Sequence, residues 1–116
     1  MSRHENVREH YRVVFPVTAR PAFREFGAAA SHTVADCSER GMRYLSGEGR
    51  TPSVGAEVEG TIIFPDGTER RVAGVVVRTW EREVALHLSG EPIPFQTIIA
   101  QQRFLRQQFP LNELMG

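Results

Sequence analysis

The chain contains no lysine: its 14 basic residues are all arginine, and 14 acidic residues balance them to a formal charge of zero with neutral histidines. That balance leaves no overall field to gather DNA, RNA or anionic lipid, so an anionic partner has to be held locally. An all-arginine set suits two-pronged contacts to phosphate and stacking on flat rings, although a composition bias is the favoured account of it. Cysteine is nearly absent. Cys37 stands alone, which rules out an internal disulfide and a cysteine cluster for zinc. No apolar run approaches the length that crosses a bilayer. The opening residues Met1 to Arg12 have no apolar h-region, so a secretory signal is not expected and the chain is read as cytoplasmic, without direct membrane insertion.

Catalytic signatures are missing too. His4, His10, His32 and His87 are isolated, with no His-x-His or His-Glu-x-x-His spacing to start a metal site. Neither a phosphate-cradling Gly-x-x-x-x-Gly-Lys segment nor a Rossmann order occurs. Glu81 and Glu83, like Asp66 and Glu69, read as loop carboxylates and form no recognisable acid and base pair. Cys37 has no sequence-adjacent base to hold it as a thiolate and reads as an inward-facing strand or turn residue. The expectation is a protein that is not an enzyme, with no catalytic residue, no metal and no cofactor.

What remains is a core. With 41% hydrophobic residues and seven phenylalanines, one domain of 116 residues can bury a sizeable interior, and there is no room for a second. Residues 1–12 are polar and are read as a flexible N-terminal arm. Residues 13–92 carry strand signals. Val13 to Phe26 interleaves apolar and polar positions, with Pro16 and Pro21 marking an edge or bulged strand. Ala28 to Ala35 returns, a polar turn Asp36 to Gly41 forms the hairpin tip, and Met42 to Leu45 comes next. Glu57 to Phe64 and Glu69 to Thr79 flank the turn Pro65-Asp66-Gly67-Thr68, and Val84, Leu86 and Leu88 mark a last strand. In the long strand Val72, Gly74, Val76 and Arg78 share one face by alternation. Six short strands favour a closed antiparallel barrel, which leaves few free edges. Over 93–109 the period changes. Phe95, Ile98, Ile99, Gln102, Leu105 and Phe109 recur at helical spacing and give a helix with one apolar stripe, ended by Pro110 and succeeded by a tail, 110–116.

Two clusters stand out. Arg8 and Arg12 are four residues apart, so a turned or an extended arm brings both to one side. Two guanidinium forks can hold phosphate oxygens or clamp a purine by stacking. In a chain this rich in arginine, the same spacing also fits a solvated arm. The second cluster is Asp36-x-Ser38-x-x-Gly41. Its carboxylate can accept from guanine N–H groups or orient a nearby arginine, its hydroxyl can donate to phosphate, and its glycine permits close approach. Alone, it fits better a turn that satisfies its own backbone.

Taken together, the Arg8-x-x-x-Arg12 arm, the Asp36-x-Ser38-x-x-Gly41 hairpin, further strands and a terminal helix closely resemble the PilZ domain family over roughly residues 7 to 109. The resemblance implies a six-stranded antiparallel barrel that binds cyclic di-GMP without transforming it. It implies that Arg8 and Arg12 grip phosphate and stack on guanine, that Asp36 and Ser38 contact guanine or phosphate, and that Gly41 shapes the turn. Arg40 and Arg43 flank this motif, and Arg78 lies on a strand similar to one that supplies a ligand-facing polar group in the family; all three join the candidate ligand residues. Trp80 is open to two readings, stacking on a base or, favoured here, packing at the barrel rim. His10, inside the arm, can add a stack or a pH-dependent contact.

Two departures from the family pattern are visible. Val7 replaces the extra arginine that often precedes the arm motif, which disfavours an intercalated pair of ligands, and Ala85 stands near where the family often has glycine. The expected partners are cyclic di-GMP and a downstream effector protein, with neither DNA nor RNA. The alternative is a PilZ-like adaptor that binds a protein and no nucleotide, for which the apolar residues from Phe104 to Met115 offer a surface. A barrel for single-stranded nucleic acid is disfavoured by the neutral charge.

Overall fold

A computed structural model describes residues 11–28, 31–47 and 51–108 of the chain. Proline decides how the first strand is built. Pro16 and Pro21 cannot donate to a ladder, and the strand expected over Val13 to Phe26 is two short ones, β1 (Arg12–Val14) and β2 (Ala22–Glu25), separated by a single 3-10 turn at Val17–Ala19. Both pair antiparallel with the same strand, β3 (Ser31–Ser38). β1 takes its C-terminal half, Arg12 opposite Ser38 and Val14 opposite Asp36, and β2 its N-terminal half, Ala22 opposite Thr33. They act as one broken strand.

The remaining strands are β4 (Gly41–Leu45), β5 (Glu57–Ile63), β6 (Glu69–Trp80) and β7 (Glu83–Leu88). Every pairing is antiparallel, and the order β2-β5-β6-β7-β4-β3 closes because β3 also pairs with β2. The result is the closed six-stranded barrel expected from the sequence. The β3–β4 hairpin differs in one detail. Asp36, Cys37 and Ser38 belong to β3 itself, Cys37 opposite Met42, so the tip consists of Glu39 and Arg40 alone. A turn of two residues suffices for an antiparallel pair, and the polar residues taken for a loop are ladder residues.

Alternation fills the interior. Phe23, Val34, Cys37, Met42, Tyr44, Val58, Ile62, Val72, Val76, Val84, Leu86 and Leu88 are all buried. Phe23 and Tyr44 pack with ring centroids 5.1 Å apart, and Phe15 meets Phe64 at 6.2 Å. Close strand crossings need glycine: a Cβ on Gly60 would lie 2.3 Å from the Arg24 carbonyl oxygen.

Helix α1 (Phe95–Gln108) closes one end of the barrel, packing on β1 and β3. Its buried stripe is Ile98, Gln101 and Leu105, with Thr97 beside it. Gln101 is there for a reason the apolar pattern does not contain. Its Nε2 donates to Asp66 Oδ2 at 3.0 Å, tying the helix to the β5–β6 turn, where Asp66 Oδ1 also accepts the Thr68 amide at 2.9 Å. Burial opposes ionisation of Asp66, but the bonds from Thr68 and Gln101 outweigh it and hold its carboxyl below the ordinary value. Among the described residues no helix is long and apolar enough to cross a membrane.

Candidate functional site

Two irregularities in the barrel wall create the site. Strict alternation would send Asp36 inward with Val34, and Arg78 inward with Val76. β3 shifts register between Val34 and Asp36, and β6 between Val76 and Arg78. Each bulge adds one residue, Ala35 or Val77, and reverses the facing of the residues beyond it. Asp36 therefore stands opposite Arg43, Arg43 opposite Ala85, and Ala85 opposite Arg78. These four residues form one transverse row on the outer face, because Met42, Tyr44, Val84 and Leu86 on either side of Arg43 and Ala85 point into the core. Arg78, assigned by alternation to the face of Val72 and Val76, belongs to the opposite one, and the bulge is the reason.

Three guanidinium groups converge on this row. Arg12 Nη1 donates to Asp36 Oδ1, while Arg43 donates to Asp36 Oδ2 through Nε at 2.8 Å and Nη2 at 2.5 Å. Arg43 Nη1 also reaches Glu83 Oε1 at 3.0 Å. The carboxylate is sequestered and the cations are not: the Asp36 side chain is 3% exposed, those of Arg12 and Arg43 are 41% and 37%. Hydrogen bonding to Asp36 raises the Arg43 pKa above its ordinary value despite the opposing effect of burial, so Arg43 stays cationic throughout the working range. With both oxygens engaged by arginines, Asp36 orients the two guanidinium groups.

Between Arg12 and Arg78 lies an open cavity of about 460 Å³, lined by Arg12, Asp36, Gly41, Met42, Arg43, Val77, Arg78, Ala85 and Leu86. That volume falls within the roughly 300–1,000 Å³ of small-molecule sites. Gly41 keeps it open on one side. A Cβ there would sit 3.2 Å from both Arg12 Nη2 and Ser38 Oγ, so the absence of a side chain leaves these two groups room at the cavity edge. Ala85 has the same role on the floor, where its methyl stands between Arg43 and Arg78 in the row.

The structure thus gathers Arg12, Asp36, Gly41, Arg43 and Arg78 at one cavity, with Ser38 buried beside Gly41. Arg40 lies apart from the cavity lining, exposed on the two-residue turn, where its carbonyl accepts the Leu88 amide at 3.0 Å. Arg8, Val7 and His10 lie outside the described residues. Trp80, expected at the rim in a packed position, is 71% exposed: the β6 bulge turns it outward together with Arg78. Cys37 points into the core, and burial first, then the neighbouring Asp36 charge, pushes its thiol up to about 12. It stays a protonated packing residue. Met42, Val77, Ala85 and Leu86 are the lining residues that motif reasoning missed. For Ala85 a signal existed, a small residue near where the resemblance puts glycine; for the other three no local motif points to the cavity.

The model of the PilZ domain matches residues 6–107. The chain belongs to the PilZ domain family. No curated protein matches it in sequence. PilZ domains are generally receptors for cyclic di-GMP and typically non-catalytic, and the cavity in this PilZ domain lies where its Asp36-x-Ser38-x-x-Gly41 segment meets the Arg12 end of its arm motif.

Proposed function

We propose that this PilZ domain is a non-catalytic receptor that binds cyclic di-GMP on the outer face of β3, β4, β7 and β6. The observation that carries the reading is the convergence of Arg12, Arg43 and Arg78 on one cavity whose single carboxylate, Asp36, is already bonded to two of them. Such a site presents cationic forks and little free negative charge, which suits a ligand bearing two phosphodiester anions and two flat purines. Arg12 and Arg78 take phosphate or stack on guanine, Arg43 lies between them, Ser38 contributes its hydroxyl at the edge, and Gly41 and Ala85 leave room for the ring. Arg8, four residues before Arg12, adds a second arm guanidinium. The arm, closed over the ligand, then presents a changed surface to an effector protein.

Calorimetric titration with cyclic di-GMP tests this, with GTP as the control ligand and Arg12→Ala and Arg8→Ala in parallel. Binding at micromolar or tighter Kd, absent for GTP and lost in Arg12→Ala with an unchanged far-UV spectrum, is the expected result. Absence of heat and of any ligand-induced thermal shift at millimolar ligand would overturn the receptor reading and favour the protein adaptor.

A further inference from the structure

Among the described residues, the C-terminal helix hydrogen-bonds to the strand that bears Arg12 through Gln102. Gln102 Nε2 donates to the main-chain oxygen of Arg12 at 3.3 Å, and its Oε1 accepts the Tyr11 hydroxyl. The Tyr11 ring also meets Phe95 of α1 edge-on, with centroids 5.4 Å apart and planes at 72°. The two residues that lead from the arm into the barrel are therefore held by groups 90 and 91 positions away in sequence. Covering the core does not require these bonds. Ile98, Gln101 and Leu105 do the covering, whereas Gln102 is only half-buried.

β1 is three residues long, and Arg12 is its first. The end of so short a strand frays readily when only its ladder holds it, and the position of a long side chain tracks that of its main chain. Resting on the receptor reading above, we propose that Gln102 is a positioning residue for the ligand grip: by fixing the Arg12 carbonyl and the Tyr11 hydroxyl, it holds the Arg12 guanidinium at Asp36 and Gly41. The helix thereby becomes part of the binding equilibrium. By reciprocity, ligand that orders Arg12 tightens α1 against the barrel by the same factor that the tether contributes to ligand affinity.

The test is cyclic di-GMP titration of the full chain carrying Gln102→Met, Tyr11→Phe, both together, or Leu105→Ala. Gln102→Met keeps length and helix preference but removes both polar contacts. Affinity in Gln102→Met should fall by roughly three- to tenfold, the loss expected for modest hydrogen bonds. Tyr11→Phe should lose less, and the double variant should be no weaker than Gln102→Met, since all act through one tether. Leu105→Ala removes buried helix packing but neither hydrogen bond of the tether, so its melting temperature should drop while affinity holds. Wild-type binding with unchanged affinity in Gln102→Met overturns this inference alone, as does an affinity loss in Leu105→Ala matching that in Gln102→Met. Absence of binding in wild type overturns the receptor reading and the inference with it. If Gln102→Met fails to fold, Tyr11→Phe reads the same tether, and unchanged affinity there overturns it.

Discussion

Asp36 and Arg78 stand at opposite ends of one row of outward side chains, and each is placed there by an extra residue in its own strand. The row runs Asp36, Arg43, Ala85, Arg78 across β3, β4, β7 and β6. A barrel wall with regular alternation would have left Asp36 and Arg78 in the core, where an uncompensated charge costs several kcal/mol. The bulges convert two residues that would destabilise the interior into two that line a cavity on the outer face.

Arg78→Ala separates these alternatives. Because Arg78 is exposed, its loss should leave stability within about 0.5 kcal/mol, while cyclic di-GMP affinity falls on the order of tenfold for a lost charge-assisted contact. Urea denaturation and ligand titration of the same sample measure both. A large stability change with unaltered affinity would place Arg78 in a structural role.

Ala85 should be the most informative apolar position. Its methyl lies between Arg43 and Arg78 on the cavity floor, so Ala85→Phe fills the cavity from below without entering the core. The expected outcome is a folded protein with far-UV spectrum intact and cyclic di-GMP affinity reduced at least about a hundredfold, an estimate from steric exclusion at a preformed site. Retained affinity in Ala85→Phe would mean that the ligand binds elsewhere.

Much of this architecture is legible in the sequence, and the illegible part has one physical origin. The strands Glu57–Ile63 and Glu69–Trp80, the turn between them and helix α1 arise from local period and turn chemistry, which short windows contain. The site residues Asp36 and Gly41 are legible as a motif, but their placement is not. Asp36 is assigned to a turn because the run from Asp36 to Gly41 is polar, and Arg78 to the face of Val76 by counting in twos, which a bulge defeats. A bulge depends on a partner strand far away in sequence, as Ala35 does on β4 and Val77 on β7. The convergence of Arg43 with Arg12 on one carboxylate needs two pairings of β3 at once, and no single window holds both.

Gly41 and Gly74 should respond to alanine in opposite ways. At Gly41 the new methyl meets two side-chain tips, Arg12 Nη2 and Ser38 Oγ, both at 3.2 Å; they can shift, so stability is retained and affinity drops as the edge of the site is disturbed. At Gly74 it meets the His87 carbonyl oxygen at 2.6 Å, backbone that cannot move without breaking the β6–β7 ladder, and about 2 kcal/mol or more of stability should be lost. Thermal melts and titrations of the two variants check the contrast.

On the proposed reading, Glu83 should compete with cyclic di-GMP for Arg43. It accepts one guanidinium hydrogen at 3.0 Å and places a negative charge beside the cavity. Glu83→Gln removes that charge and loosens Arg43 while leaving its bonds to Asp36, so affinity for cyclic di-GMP should rise by roughly two- to fivefold at low salt, from the Coulomb energy of a partly solvated pair. The gain should shrink as ionic strength rises, because the groups involved are about one-third exposed. Titrations at two salt concentrations test it, and weaker binding in Glu83→Gln would mean that Glu83 orients Arg43 for the ligand instead of restraining it.

Cys37 sets an upper pH limit on the fold. Its thiol titrates at about 12 in the folded barrel against an ordinary value of 9.0, so below pH 9 both folded and unfolded chains keep the proton and the group adds no pH dependence. Above pH 9 only the unfolded chain releases it, and stability falls as pH rises toward 12, by at most about 1.4 kcal/mol per unit from this group. Tyr44, whose hydroxyl is also pushed up by burial, steepens the fall. Denaturant midpoints between pH 7 and 11 should therefore decline on the alkaline side, and Cys37→Ala should flatten the decline between pH 9 and 10, before Tyr44 contributes fully. The same burial predicts that thiol reagents label native Cys37 only at the rate of barrel opening. Labelling that proceeds at a free-thiol rate in the native protein would contradict a site sealed beneath Asp36 and the arginines that hold it.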